Sequence, residues 1–302
     1  MENFESKTVT GSLKMEENKA RKRFESIVEA VFLLCALTAV LGVAVITIFV
    51  FIRGGPFLLK YGLGNFVLGS KWQPLDDVFG ILPMIVASLM GTLGAMVMGV
   101  PVGLLTAVFL AEVAPSRLAA VIRPAVDLLA GIPSVVYGFF GLVVIVPIID
   151  KWFGGGGNSL LAVIIILSVM ILPTVVSISE AAIRAVPKEY REGSLAMGAS
   201  QMQTIFKVIL PAAKSGILTA VILGIGRAVG ETMAVILVAG NTALVPTSIL
   251  DRVRTMTANI AIEMGYAFGM HQDALFATGV VLFVFIMGLN ALLGLISNKA
   301  GE

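Results

Sequence analysis

Six long apolar runs dominate this chain and limit the folds open to it. The runs cover approximately residues 27–52, 81–111, 126–149, 160–179, 217–239 and 274–296. An α-helix needs roughly 20 apolar residues to cross a bilayer, whereas the strands of a porin show alternating patterns over about ten residues. Backbone groups in lipid must be hydrogen-bonded within their own segment. The runs therefore predict an all-α integral membrane protein with six transmembrane helices.

Composition supports this class. Hydrophobic residues make up 58% of the chain and charged residues 13%, whereas a soluble domain carries about 25% charged residues. The single cysteine, Cys35, excludes an intrachain disulfide framework, and the single histidine, His271, argues against metal catalysis. We assign no function to His271 and expect it at the external surface.

The positions of the positive charges predict the topology. Six spans place both termini on one side, where 14 of the 21 Lys and Arg residues fall, against six on the other side and one, Arg227, inside a span. The positive-inside rule then puts both termini in the cytoplasm. We predict a cytoplasmic N-terminal segment, 1–26, a six-helix domain, 27–298, and a cytoplasmic loop, 180–214. The sequence Arg53-Gly54-Gly55-Pro56 should end the first helix, and the external segments 54–80 and 240–273 could dock a partner.

Glycine and proline residues predict how the spans pack and bend. Gly99 with Gly103, and Gly226 with Gly230, have the GxxxG spacing that lets two helices approach closely. Pro101 lies deep in the second span, where it removes a helical hydrogen bond. We therefore expect a bend near this proline.

Arg227 is a charged residue in the middle of the fifth apolar run. Such a charge is costly in a bilayer, and Glu231 lies four residues later, on the same face if the helix continues. The pair could simply fix helix packing. Alternatively, both residues line a substrate pathway in which the guanidinium binds an oxyanion such as phosphate.

The largest cytoplasmic loop contains a spaced motif. Glu192-Gly193-Ser194 is followed by Gly198, and nine further residues lead to Val208-Ile209-Leu210-Pro211. This pattern resembles the "EAA" coupling loop of ATP-binding-cassette (ABC) importer permeases, in which two alanines stand at the positions of Gly193 and Ser194. The chain has no G-x-x-x-x-G-K-[ST] loop, so any ATP would be bound by another polypeptide.

Three further stretches extend the resemblance over most of the chain. They are Gly131-Ile132-Pro133-Ser134-Val135-Val136-Tyr137-Gly138-Phe139-Phe140-Gly141, Arg227-Ala228-Val229-Gly230-Glu231-Thr232 and Arg254-Thr255-Met256-Thr257-Ala258-Asn259-Ile260-Ala261. All three are similar to the permease subunits of phosphate ABC importers, closer to the PstC kind than to the PstA kind.

The resemblance implies a type I importer (MetI-like) fold in the plasma (inner) membrane of a bacterium or archaeon. It implies these partners: a homologous PstA-like permease, two PstB-like ATPase subunits that bind ATP and Mg, a PstS-like extracytoplasmic phosphate-binding protein, and membrane lipid. This chain would be non-catalytic, would hold no cofactor and would bind no nucleic acid.

The resemblance also implies roles for particular residues. The substrate pathway would include Arg227, Glu231, Thr232, Ser134 and Tyr137. The ATPase coupling loop would include Glu192, Gly193, Ser194, Gly198, Leu210 and Pro211. Ser134 and Tyr137 could equally make an interhelical hydrogen bond or accommodate the kink at Pro133.

Three alternatives remain open at this stage. The cargo could be another oxyanion, such as molybdate, sulfate or phosphonate. A stand-alone ion-coupled carrier or channel could use Arg227 and Glu231 as a charge relay, although the coupling-loop spacing argues against it. A membrane enzyme lacks support because the spans contain no set of nucleophile, base and orienting residue and no metal-ligand cluster.

Overall fold

A computed structural model describes the backbone of residues 2–301 and the side chains of residues 25–291 and 294. The side chains of most of the predicted N-terminal segment, 1–26, lie outside the described residues. The chain divides into two units, Met1–Ile52 and Arg53–Glu302. The first unit belongs to a single helix, and its residues 30–52 carry no charged side chain and are apolar on all sides, as expected of a helix in lipid.

The chain is mostly helical. Its helices are α1 (Glu2–Tyr61), α2 (Leu63–Leu68), α3 (Leu82–Val108), α4 (Ser116–Gly131), α5 (Ser134–Phe140), α6 (Val146–Phe153), α7 (Leu160–Arg184), α8 (Lys188–Ala196), α9 (Gln201–Thr204), α10 (Leu210–Ala212), α11 (Lys214–Gly230), α12 (Met233–Val238), α13 (Met256–Glu263) and α14 (Met270–Gly301). Two short strands, β1 (Trp72–Gln73) and β2 (Val78–Phe79), pair antiparallel with Trp72 opposite Phe79. A 3-10 turn, Pro74–Asp76, joins the strands.

Five helical stretches in the described part are long and apolar enough to cross a membrane. They are Glu25–Tyr61, Leu82–Val113, Ser134–Phe153, Leu160–Arg184 and Met270–Ala291. A sixth span arises if Gln201–Ala212 and Lys214–Gly230, which meet at an angle of 69°, cross together.

The structure differs from the predicted helix ends at three places. The predicted stop at Arg53–Pro56 is wrong, because α1 continues to Tyr61 with Pro56 inside it. The third span begins after a break at Ile132-Pro133, not at Val126. The fifth span does not reach residue 239 as one helix, because α11 ends at Gly230. Next to Pro56, Phe57 packs on Tyr61, Phe66 and Phe79. This aromatic contact offsets the helical hydrogen bond that is lost at Pro56.

Helices α3 and α7 form the centre of the core. A Cβ atom at Gly99 would lie 2.8 Å from Ile171 Cδ1, and one at Gly103 would lie 2.8 Å from Val175 Cγ1. The first GxxxG pair therefore packs as predicted. For the second pair the prediction is wrong within this chain, because a Cβ at Gly226 or Gly230 would meet no described atom within 4 Å.

Three π-helical turns share one relationship to proline. They are Phe109–Val113, Gly141–Ile145 and Ile205–Ile209. In each, the residue after the turn donates its N–H to the carbonyl five positions back, and the next residue is Pro115, Pro147 or Pro211. A proline lacks an N–H and its ring collides with the preceding helical turn. The wider π turn accommodates the proline in each case.

Candidate functional site

The candidate pathway residues lie around a break between α11 and α12. Helix α11 ends at Gly230, Glu231 has extended backbone with φ −69° and ψ 131°, and α12 starts at Met233. Thr257, on the first turn of α13, donates its hydroxyl to the Glu231 carbonyl at 2.9 Å. Segment 240–273 therefore holds the break through a direct hydrogen bond.

Glu231 does not pair with Arg227. Its carboxylate accepts a hydrogen bond from the backbone N–H of Ala234 at 3.1 Å and so caps the start of α12. The predicted ion pair assumed a helix that continues through Glu231, and the helix has already ended. Capping replaces pairing as the structural role of this carboxylate.

Arg227 is left without an ion-pair or hydrogen-bond partner among the described residues. It is half-buried in the last turn of α11. It borders a face of α11 that this chain leaves open, formed by Thr219, Leu223, Gly226 and Gly230. An unpaired guanidinium at bilayer depth is unfavourable unless an anion or a neighbouring subunit reaches it.

Tyr137 lies within electrostatic range of Arg227. Its hydroxyl donates to the backbone carbonyl of Leu129 at 2.7 Å. That carbonyl belongs to the last turn of α4, where it also accepts the Ile132 N–H at 3.3 Å but lacks the usual donor four positions on, because that residue is Pro133. The Tyr137 hydroxyl therefore forms a hydrogen bond from α5 to α4, across the break at Pro133.

Ser134 and Thr232 lie at helix starts. Ser134 is half-buried at the first position of α5, and the structure shows no side-chain cap at this end. Thr232 precedes α12 and donates to the Gly230 carbonyl at 3.3 Å. Helix α5 approaches α12 closely, because a Cβ at Gly138 would lie 2.7 Å from Ala234 Cα. The two helix starts are therefore on adjacent elements.

A buried polar network joins segments 54–80 and 240–273, and the sequence did not predict it. Arg254 donates to Glu263 Oε1 at 2.5 Å and to Asn259 Oδ1 at 3.0 Å. The other Glu263 oxygen contacts Trp72 Nε1 and His271 Nε2, both at 2.8 Å. The expectation that His271 is a surface residue is wrong, because only 14% of its side chain is exposed.

Tyr266 borders this network. The surrounding protein removes part of the water from its hydroxyl, and this effect, followed by the negative charge of Glu263, raises the pKa of Tyr266 above the ordinary value. The only sequence signal for the network was the stretch beginning at Arg254, to which no role could be given.

The predicted coupling loop forms two helices joined by a tight turn. Gly198 has φ +85° and its N–H donates to Leu195, while Ala199 donates to Ser194. This is a Schellman ending of α8, which favours glycine at its left-handed position. Ser200 and Gln203 then form a capping box that starts α9.

Some residues of the predicted coupling motif are exposed and others are half-buried. Glu192, Gly193, Gly198 and Pro211 are exposed. Ser194 bonds the Thr204 hydroxyl at 2.9 Å and so ties α8 to α9, and Leu210 is half-buried after the third π turn. The loop thus presents its glycines and Glu192 outward on a fixed helical scaffold.

Comparison with known families identifies the class of protein. Residues 99–301 match the family described as "Binding-protein-dependent transport system inner membrane component". The "Probable ABC transporter permease protein YqgH" of Bacillus subtilis is 40% identical over 257 residues, which cover 83% of each chain. The "Phosphate transport system permease protein PstC" of Haemophilus influenzae is 31% identical over 291 residues, covering 88% of this chain and 92% of that protein.

Solved structures show the same fold. The MetNI methionine ABC transporter in an inward-facing conformation has a chain that matches with a TM-score of 0.55 at 22% identity, covering 73% of this chain and 94% of that chain. A chain of a bacterial alginate ABC transporter matches with a TM-score of 0.57 at 17% identity, covering 82% and 91%. The chain therefore belongs to the family of binding-protein-dependent transport system inner membrane components, the multi-pass, non-catalytic permease subunits of ABC importers.

Proposed function

We propose that this permease carries inorganic phosphate into the cytoplasm and that Arg227 is its main anion-binding residue. The observation that carries the proposal is the half-buried guanidinium of Arg227, which has no partner among the described residues and borders the open face of α11. A planar, permanently charged fork suits the oxygens of phosphate. Relatives named as PstC phosphate permeases support this choice of anion.

The remaining pathway residues contribute in different ways. Glu231 fixes the start of α12 and so sets the distance between Arg227 and the α12 backbone. Thr232 and Ser134 lie on the two adjacent helix starts and can offer hydroxyl groups to a passing anion. Tyr137 positions the α4–α5 break through Leu129. The open α11 face would be completed by a second, PstA-like permease.

The energy source and the orientation belong to the same proposal. Two PstB-like ATPases, which hold ATP and Mg, would dock on Glu192, Gly193 and Gly198, and the external segments would receive a PstS-like binding protein. Both termini would lie in the cytoplasm, as the distribution of basic residues predicts. Closure of the ATPases would rock the spans and alternate access to Arg227.

A second candidate cargo is another oxyanion, because the Bacillus relative at 40% identity is named only as a permease. Uptake of labelled phosphate would be measured in cells lacking their own importer and expressing the complete transporter. Variants would be Arg227→Ala, Arg227→Lys and, as a matched control, Arg117→Ala, an exposed arginine in the first turn of α4.

We expect ATP-dependent uptake that resists excess sulfate and molybdate, disappears in Arg227→Ala and survives in Arg117→Ala. Efficient competition by sulfate or molybdate would move the assignment to the other anion. Full uptake by Arg227→Ala in an assembled complex would contradict the site. Uptake that persists without ATP would favour an ion-coupled carrier.

A further inference from the structure

The π turn at the end of α3 has carbonyl groups that its own helix does not satisfy. The Ala114 N–H bonds the Phe109 carbonyl at 2.7 Å, and the next residue, Pro115, has no N–H to offer Leu110. Unsatisfied carbonyls at a helix end attract donors from elsewhere. We call residues Phe109–Val113 the α3 turn.

Side chains from three other elements supply those donors. Arg184, at the end of α7, donates to the Leu110 carbonyl at 2.7 Å, and Arg123, on α4, donates to the same oxygen at 3.3 Å. Gln201, at the start of α9, donates to the Glu112 carbonyl at 3.3 Å. The α3 turn is therefore fixed both by the neighbouring helices α4 and α7 and by the loop that follows α8.

The Glu112 side chain adds an ion pair to these links. Only 3% of it is exposed, and its carboxylate forms a salt bridge with Arg191, whose side chain is 43% exposed on α8. A buried carboxylate depends on its cation, because it has lost the water that would otherwise stabilise its charge. Arg191 directly precedes Glu192, the first residue of the predicted coupling motif.

The α3 turn is joined to a rigid part of the core. Helix α3 packs on α7 so closely at Gly99 and Gly103 that a single methyl group would not fit. Because α8 is held to Glu112, a displacement of α8 acts on the long helix α3 and, through α3, on α7. Packed helices of this kind move as bodies, since their contacts do not deform continuously.

We infer that Glu112 is the positioning residue through which the coupling loop moves the membrane helices, acting through Arg191. The inference rests on the proposed function only in that ATPases dock on the loop. It does not depend on which anion is carried.

The test uses the complete transporter, with its partner permease, ATPases and binding protein, reconstituted in liposomes. The variants are Glu112→Gln, Arg191→Gln and Arg191→Lys. Glu189→Gln is the matched control, since Glu189 is exposed on the same helix. Co-purification of the ATPases, ATP hydrolysis and uptake of labelled inorganic phosphate are measured for each.

We expect Glu112→Gln and Arg191→Gln to retain their ATPases and to hydrolyse ATP at the wild-type rate. Their phosphate uptake should fall by about tenfold or more, within the range typical of coupling between sites. Arg191→Lys, which keeps the positive charge, should recover most of the uptake, and Glu189→Gln should match wild type. Normal uptake in Glu112→Gln would overturn the inference, and so would loss of ATPase co-purification, because the residue would then serve assembly.

A second measurement is independent of the cargo. Spin labels are placed at Val113→Cys and Lys188→Cys, two exposed positions on the α3 turn and α8, in a Cys35→Ala background. The distance between the labels should be unchanged on addition of ATP and vanadate when Glu112 is present, and should change or broaden in Glu112→Gln. Identical distance distributions in the two proteins would overturn the inference. If the wild-type complex hydrolyses ATP without importing phosphate, the proposed cargo is wrong, and the label distances still decide the role of Glu112.

Discussion

The Glu231 carboxylate is hydrogen-bonded to the backbone N–H of Ala234 and is not paired with Arg227. The two residues differ by four positions, the spacing of neighbours on a helix surface, but the helix between them has ended at Gly230. One result is a fixed start for α12. The other is an arginine whose charge remains available to a ligand or a partner subunit.

Replacing Glu231 should therefore act through the cap. Glu231→Gln keeps an oxygen that can accept from Ala234, whereas Glu231→Ala removes it and should lower the free energy of unfolding by about 0.5–2 kcal/mol. Thermal unfolding of the purified permease pair would measure the difference. The control is Glu189→Ala, an exposed carboxylate with no role at this helix start. Equal melting temperatures for Glu231→Gln and Glu231→Ala would contradict the capping role.

Replacing Tyr137 should affect the stability of the permease but not its transport activity. Its hydroxyl proton is committed to the Leu129 carbonyl, so Tyr137→Phe should lower stability by about 1 kcal/mol and leave phosphate uptake per assembled complex nearly unchanged. Uptake normalised to complex abundance would check this. A large loss of uptake at normal abundance would show that the hydroxyl serves the anion directly.

The sequence predicts those parts of the fold that depend on interactions between residues close together in the chain. Length and hydrophobicity predict α3, α7 and α14, and the spacing of Gly99 and Gly103 predicts a close helix contact, because these are local signals. Helix ends set by tertiary contacts were not predictable. Gly54, for example, continues α1 where a Cβ would lie 2.7 Å from the backbone of Phe276 and Ala277.

The candidate site shows the same limit. Arg227 stands out as a charge in an apolar run, which is a local signal. The hydrogen bond between Trp72 and Glu263 joins residues 191 positions apart, and neither residue type predicts the other. The break at Glu231 depends on Thr257, which lies 26 positions later and reaches back to the Glu231 carbonyl.

Substitution should lower the stability of the chain at the first GxxxG pair but not at the second. Gly99→Ala places a methyl group 2.8 Å from Ile171 and 3.0 Å from the Ser168 carbonyl, and should cost about 1–3 kcal/mol of stability. Gly226→Ala meets no described atom and should leave the stability of this chain almost unchanged. Gly226→Leu, on the open face beside Arg227, should fold and reduce uptake. Melting temperature and uptake, measured on the same preparations, separate the two effects, and a stable, fully active Gly226→Leu would contradict a pathway on this face.

The loop between α12 and α13 should loosen in acid because of Asp251. Its carboxylate accepts from the Thr247 and Ser248 backbone N–H groups and from the Thr247 hydroxyl, and these hydrogen bonds hold the pKa of Asp251 below its ordinary value. A lowered folded-state pKa gives a stabilisation that is complete above the unfolded value of about 3.9 and is lost as the pH falls through the folded value.

The consequence should appear at the start of α7. The Asp251 and Ile249 carbonyls accept from the backbone N–H groups of Leu160 and Leu161 at 2.9 and 2.7 Å, so the loop satisfies two amides that α7 cannot. Hydrogen-exchange protection of these amides, corrected for the intrinsic rate, should be high at neutral pH and decrease below about pH 4. Asp251→Asn should lower protection already at pH 7 and remove the acid-dependent step, while Asp76→Asn, an exposed control, should leave both unchanged. In the described loop, only the carboxylate at position 251 accepts from both Thr247 and Ser248, and asparagine does not titrate. An acid-dependent step that persists in Asp251→Asn would therefore contradict the role of Asp251 and assign the titration to another group.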